Sequence, residues 1–195
     1  MIRPFSESCE QNKQVIYETI KPYLQGRVLE IASGTGQHAL HFSELCEQLC
    51  WQTSDLEQNL PGIKAWLAGG EPQRLPPPIL LDVEGDWPDQ KYNLVFTANS
   101  FHIMSQAAVV AFFAGVSKCL ETGGHLIVYG PFNYAGDYTS ASNERFDYWL
   151  KHRDSQSGIR DFEWLQELAA DAGLELQDDV AMPHNNRTLI WIKRT

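Results

Sequence analysis

The chain has 195 residues, a net charge of -10 and a sequence pI near 5.0. That length suits one domain with a sizeable core, and the acidity argues against a broad phosphate-binding surface, so nucleic acid is not an expected partner. Cys9, Cys46, Cys50 and Cys119 show neither zinc-ligand pairing nor a disulfide framework, no stretch approaches membrane-spanning length and no long apolar run opens the chain, so a soluble, cytoplasmic protein away from the membrane is expected.

Arg3, Pro4 and Phe5 read as extended, either a frayed tail or a flap over a site. Ser8 to Tyr23 follows as a helix with Val15, Ile16, Ile20 and Tyr23 on one stripe, bent or ended by Pro22. Arg27 to His41, RVLEIASGTGQHALH, is the stretch around which the rest is organised. A short apolar strand (Val28, Leu29, Ile31) carries Glu30 near its end, stops at Gly34 and Gly36, and opens a helix over Gln37 to Leu45. Such a turn lets backbone N–H groups approach a ligand closely. A carboxylate inside an apolar strand costs several kcal/mol unless paired, which implies a partner for Glu30, such as a cationic ligand across the strand tip.

Leu49 to Thr53 reads as a second strand closed by Ser54 and Asp55, and Asp55 falls 19 residues after Gly36. An acid at that tip suits ribose hydroxyls, or an N-cap for the next helix, or both. Leu56 to Leu67 is a helix interrupted early by Pro61 and ended by Gly69-Gly70. Pro76-Pro77-Pro78 leads stiffly into a third strand, Ile79 to Leu81, with Asp82 at its tip as an adenine ligand or a turn cap. Tyr92 to Ala98 is a fourth strand running out into Asn99, Ser100, Phe101 and His102, and Gln106 to Leu120 a helix with Val109, Phe112, Phe113 and Val116 on one face. Gly123-Gly124 should stop that helix before a fifth strand, His125 to Tyr129.

Residues 131–160 break the rhythm with a polar, aromatic insertion holding a helix from about Ala141 to Lys151, capped by Ser140. It is either a lid or substrate pocket above the strand ends, or a packing excursion. A helix over Asp161 to Ala172 precedes two strands, Leu174 to Ala181 and Thr188 to Lys193, whose short connection forces them antiparallel. The expected fold is a single α/β domain, a Rossmann-like, mostly parallel sheet covered on both faces and finished by an antiparallel hairpin. Ligands collect at the carboxyl ends of such strands, where Glu30, Asp55, Asp82, Asn99 and Gly130 converge.

Gly34-x-Gly36-x-x-Ala39 also satisfies the loose dinucleotide pattern, so NAD is weighed. Glu30 and the terminal hairpin oppose it, because an acid beside the loop repels a pyrophosphate, whereas the ammonium and sulfonium of S-adenosylmethionine suit an acidic neighbourhood.

VLEIASGTGQH, WQTSD, LLDV, LVFTANSFHI and LETGGHLIVYGPF resemble the class I S-adenosylmethionine-dependent methyltransferases over nearly the whole chain. The resemblance implies their seven-stranded sheet with the last strand antiparallel; Ala32 stands where their pattern has glycine. NSFHIM, YGPFNYAG, TSASNERFD, GIRDFEWL and MPHNN resemble an uncharacterised methyltransferase-like subfamily without an assigned substrate. Carried onto these residues, Glu30 would sit near the methionyl amino group, and Ala32, Gly34 and Gly36 would let the backbone pass close to the methionine and ribose portions. Asp55 would hold ribose hydroxyls, Leu56 would pack on adenine, Asp82 and Val83 would frame its edge, and Asn99 would offer a carbonyl to the amino group.

Methyl transfer from a sulfonium is an in-line displacement, so alignment and water exclusion are the main tasks. His102 is the candidate general base or a packed histidine; Tyr129, Tyr134, Asn143, Asn185 and Asn186 line an acceptor pocket or scaffold it. His38 and His41 lie one turn apart without further ligands, so no metal is expected. The expected function is methyl transfer to a small-molecule acceptor; the alternative is a non-catalytic cofactor-binding or scaffolding protein on the same fold.

Overall fold

The computed structural model describes residues 3–194. The strands of the described residues are β1 (Arg27–Glu30), β2 (Cys50–Asp55), β3 (Ile79–Leu80), β4 (Tyr92–Ala98), β5 (Leu120–Gly130), β6 (Phe132–Asn133), β7 (Arg160–Asp161), β8 (Leu174–Met182) and β9 (Asn186–Lys193). The α-helices of the described residues are α1 (Glu7–Ile20), α2 (Gln37–Leu45), α3 (Leu60–Leu67), α4 (Gln106–Cys119), α5 (Ala141–Arg153) and α6 (Phe162–Asp171). Seven strands form one sheet in the order β3-β2-β1-β4-β5-β9-β8. β1 to β5 pair in parallel, and β9 inserts antiparallel between β5 and β8. No helix among the described residues is long and apolar enough to cross a membrane.

The central strands read as almost continuous apolar runs because both of their faces are buried. Leu29, Val95, Leu126, Leu189 and Trp191 pack under α4 and α6, against Val109, Phe112, Phe113, Val116, Leu165 and Ala169. Their neighbours Val28, Leu94, Phe96, Ile127 and Ile190 face the other way, against Ile16 and Ile20 of α1, Phe42 of α2, and Ile63 and Leu67 of α3. Helices on both faces leave only the strand ends open, and the strand order reverses beside β1 and β4.

Several boundaries differ from the sequence expectation for local reasons. α1 ends at Ile20, and Pro22 continues as a 3-10 turn over Lys21–Tyr23, so Tyr23 leaves the buried stripe. Pro61 sits in the first turn of α3, where its missing N–H costs nothing, and residues Glu57–Asn59 before it are 3-10. Gly123-Gly124 does not separate helix from strand: β5 begins at Leu120 and bulges between its pairing to Tyr92 and to Leu94. A side chain at Gly124 would lie 2.8 Å from the Asn93 carbonyl oxygen, so the bulge needs glycine there. Arg3 and Pro4 are held, not frayed: Arg3 Nε donates to the Ala65 carbonyl (2.9 Å) and Trp66 Nε1 donates to that of Pro4 (2.5 Å).

One polar pair lies inside the core. Strand alternation sends Glu30 to the same face as Val28, under α2, where its Oε2 accepts from Trp51 Nε1 (3.0 Å) and its Oε1 lies 3.8 Å from His38 Nδ1. Burial lifts the Glu30 pKa to about 8 despite the Trp51 and Ser33 hydrogen bonds, with Asp55 adding to the rise. Burial lowers His38 to about 4, with small contributions from His41 and Lys13. Both groups are therefore neutral at pH 7, a protonated acid beside a neutral imidazole instead of an ion pair. The cationic ligand expected as the partner of Glu30 is replaced by an indole N–H.

These shifts set the pH dependence of stability. Glu30, raised from 4.5 to about 8, contributes stability that is lost as pH rises toward 8; His38 and His102, both lowered from 6.5 to about 4, contribute stability lost as pH falls from 6.5. Stability measured by urea unfolding should peak near pH 6.5, with Glu30 removing about 1.4 kcal/mol per pH unit above it. Glu30→Gln should abolish that alkaline decline while keeping the Trp51 hydrogen bond; an unchanged decline would show that Glu30 is not its source.

Candidate functional site

The carboxyl ends of β1 to β5 open into a cleft of about 1360 Å³. Pockets for one small ligand run to about 300–1,000 Å³, so this cleft has room for two molecules side by side. Its walls come from the loops after β1, β2, β3 and β4, from the first turns of α1, from α5, and from the turn joining β8 to β9.

The loop after β1 is fixed by β2. Ser33 N–H donates to the Ser54 carbonyl (3.0 Å), Ser54 N–H donates to Ser33 Oγ (3.1 Å), and Ser54 Oγ donates to the Glu30 carbonyl (2.7 Å). Asp55 completes the clamp: its Oδ2 accepts from Gly34 N–H (2.7 Å), and its Oδ1 accepts from Leu56 N–H (2.7 Å) and Asn59 Nδ2 (2.7 Å). A carboxylate has about four acceptor positions, so roughly one remains for a ligand. A Cβ built on Gly34, whose φ is 61°, meets nothing within 4 Å, so this residue fronts open space. Ala32 adopts φ 55° without being glycine, which costs about 1–2 kcal/mol and marks a turn the surroundings impose.

Ala32, Gly34, Asp55, Leu56, Asp82, Val83 and Asn99 all line the cleft. Leu56 is 40% exposed, an apolar surface offered to whatever lies beside Asp55. Asp82 Oδ1 accepts from Glu84 N–H (3.1 Å), so it does cap its turn, and one oxygen stays free. Two expected residues stand behind the wall. Glu30 is turned under α2, as described, because its strand position faces that helix. Gly36 starts α2 with φ 86°, and a side chain there would meet Ile63 at 3.2 Å; its smallness serves the approach of α2 to α3.

The other half of the cleft centres on His102, which is 6% exposed. Its loop is gripped by the end of the insertion: Gly158 N–H donates to the His102 carbonyl (2.9 Å), Ser157 Oγ donates to that of Ile103 (3.0 Å), and Arg160 donates to those of Phe101 (3.2 Å) and Met104. Burial, helped by Arg160, pushes the His102 pKa down to about 4, leaving a neutral ring. Tyr129, Asn143, Asn185 and Asn186 border this half. Asn143 Nδ2 donates to Thr139 Oγ1 (2.9 Å) and the Asn185 carbonyl (3.2 Å), and Asn185 Nδ2 donates to Ser142 Oγ (3.1 Å), which ties α5 to the hairpin turn. Tyr134 lies outside the cleft lining. Its hydroxyl donates to Asp179 Oδ2 (2.8 Å) and its ring stacks on Phe162 (5.0 Å), so it buttresses the insertion against β8.

Asn12, Phe146 and Arg153 line the cleft without having been expected there. Asn12 shares a helical stripe with Ile16 and Ile20 and is 7% exposed; its Oδ1 meets His38 Nε2 at 2.8 Å. A polar residue on an otherwise apolar stripe was the available signal. Among the described lining residues Arg153 is the single Lys or Arg, against the acids Asp55, Asp82 and Glu84. His38 pairs with Asn12 and His41 with Gln14 (3.1 Å), and no group of three His, Cys, Asp or Glu side chains suited to a metal occurs among the described residues.

The fold has solved counterparts. An O-methyltransferase family protein from Burkholderia thailandensis superposes with TM-score 0.84 at 15% identity, covering 96% of this chain and 57% of that one. The mitomycin 7-O-methyltransferase MmcR gives 0.80 at 14%, covering 95% and 54%. Human N-acetylserotonin methyltransferase in complex with SAM gives 0.80 at 14%, covering 97% and 53%. The chain spans little more than half the length of these proteins, and at such identities the likeness is one of fold. The family model described as "Protein of unknown function (DUF938)" matches residues 3–193, and the chain belongs to that family.

Proposed function

We propose that this protein is an S-adenosylmethionine-dependent methyltransferase acting on a small-molecule acceptor. The observation that carries the reading is the Asp55 corner: a buried carboxylate beside an open glycine, at the tip of β2, in a cleft half with no Lys or Arg. The methyltransferase neighbours of the same fold, one of them holding SAM, support it.

The residues fit this cofactor better than a dinucleotide. Gly34 N–H, the donor a pyrophosphate would need, is already bonded to Asp55, and Asp82 and Glu84 stand along the same wall. The remaining acceptor position on Asp55 would take a ribose hydroxyl, Leu56 would cover adenine, Asp82 and Val83 would frame its edge, and Asn99 would meet the amino group. Glu30, neutral and buried, acts indirectly: with His38 it fixes the Asn12 amide at the wall. When bound, the cofactor supplies an electrophilic methyl on a sulfonium. The chain's own part is to align the acceptor, exclude water and, where the acceptor carries a proton, receive it on the neutral His102 ring. A Cβ on Gly130 would lie 3.9 Å from His102 Nδ1 and 4.0 Å from Asn99 Oδ1, so both polar groups converge at the end of β5.

Calorimetric titration should give saturable binding of S-adenosylhomocysteine and no heat with NAD; the reverse would overturn the reading. Asp55→Asn should weaken S-adenosylhomocysteine at least about tenfold, roughly 1.4 kcal/mol, since an amide repels one of the donors now held. Once an acceptor is found by labelled-methyl transfer into a metabolite extract, His102→Gln should lower turnover about 10²-fold or more with cofactor affinity within about twofold. His102 should add no ionisation to the rate profile between pH 5 and 8, because its pKa lies near 4.

A further inference from the structure

The acceptor half of the cleft has a chemistry of its own. The His102 ring meets Phe146 edge-on at 5.2 Å, Phe146 stacks on Trp149 at 5.9 Å and 14°, and the Arg153 guanidinium lies 5.5 Å over Trp149. Positions 146, 149 and 153 form one stripe of α5, so the helix lays an aromatic ladder from the buried imidazole to the mouth. Ile103 borders the cleft and is 61% exposed, and Trp149, stacked between Phe146 and Arg153, is 52% exposed, large apolar surfaces that the core does not use.

The ladder ends in a cation. Arg187, Lys151, Arg74 and Arg194 are paired with Asp179, Asp147, Glu71 and Glu175. Arg153 has no carboxylate within ion-pair distance among the described residues, in a chain of net charge -10. A cation in the last turn of a helix favours the helix dipole, but Lys151 supplies that without bordering the cleft. The guanidinium's fork matches a carboxylate or another planar or tetrahedral oxyanion.

We propose that the acceptor is a planar, apolar molecule carrying an anionic group, its ring system against Phe146 beside His102 and its anion on Arg153. This rests on the methyltransferase reading. The seven-residue rise along α5 from Phe146 to Arg153 spans about 10 Å, which suits a molecule with its reacting atom and its anion at opposite ends of fused rings.

The test uses the full chain saturated with S-adenosylhomocysteine, whose own titration comes first and reports on the donor site alone. Three probes are then compared by calorimetry: a hydroxynaphthoate with hydroxyl and carboxylate on opposite rings, naphthol, and the aminomethyl analogue of the naphthoate. The carboxylate should bind at least about tenfold more tightly than naphthol, and the amine most weakly. Arg153→Gln should bring carboxylate and naphthol within about twofold, with S-adenosylhomocysteine affinity and melting temperature as in the wild type. Phe146→Ala should weaken both probes together. Equal affinities in the wild type, a preference for the amine, an unchanged ratio in Arg153→Gln, or no binding of any probe would overturn the proposal.

Discussion

One buried carboxylate fastens the ligand-facing edge of the sheet. Asp55, 5% exposed, takes hydrogen bonds from the backbone of Gly34, the backbone of Leu56 and the side chain of Asn59, and so completes, with Ser33 and Ser54, the clamp that holds the loops after β1 and β2 together. Charge-assisted bonds to a largely desolvated acid are stronger than neutral ones, and they hold the left-handed turn at Ala32 and Gly34 in place. The rest of the cleft follows from sheet geometry: helices cover both faces, so each crossing returns its functional loop to the same edge.

The electrostatics of the site divide into a silent part and an active part. Glu30 and His38 form a neutral pair beneath the loop, because burial penalises charge on either group more strongly than their partners favour it. The field at the cleft instead comes from Asp55, Asp82 and Glu84 at one end and Arg153 at the other. An asymmetric cleft of this kind orients two unlike molecules with respect to each other, which is the main requirement of a transfer whose electrophile is already activated.

Much of this was legible in the sequence. Apolar runs ending in Gly, Pro, Asn or Asp gave the strands of the central sheet and placed Asp55, Asp82, Asn99 and His102 at the correct edge. Glu30 was misread because its address depends on alternation along β1 combined with a tryptophan on the neighbouring strand, a register that appears only once β1 and β2 pair. Gly124 reads as a breaker but serves a bulge, since the carbonyls it must avoid belong partly to another strand. Tyr134 lies in the irregular start of the insertion, where no period of 2 or 3.6 governs direction, and it turned to β8; Phe146 lies on the expected helix, but which face of that helix meets the cleft depends on how α5 docks. Asn12 was overlooked because its neighbours on the stripe read as core.

The grip of residues 157–160 on the loop carrying His102 makes the insertion and that loop a single rigid wall. The opposite wall is held differently. The front half of α1 is held by polar contacts, Ser6 N–H to Gln37 Oε1 (2.6 Å), Gln37 Nε2 to Glu10 Oε2 (3.3 Å) and His41 Nε2 to Gln14 Oε1 (3.1 Å), whereas its last turns are anchored by Ile16 and Ile20. Water can substitute for each of the former and none of the latter. Hydration therefore competes with the contacts at the front of α1, beside the cleft, and not with those at its back.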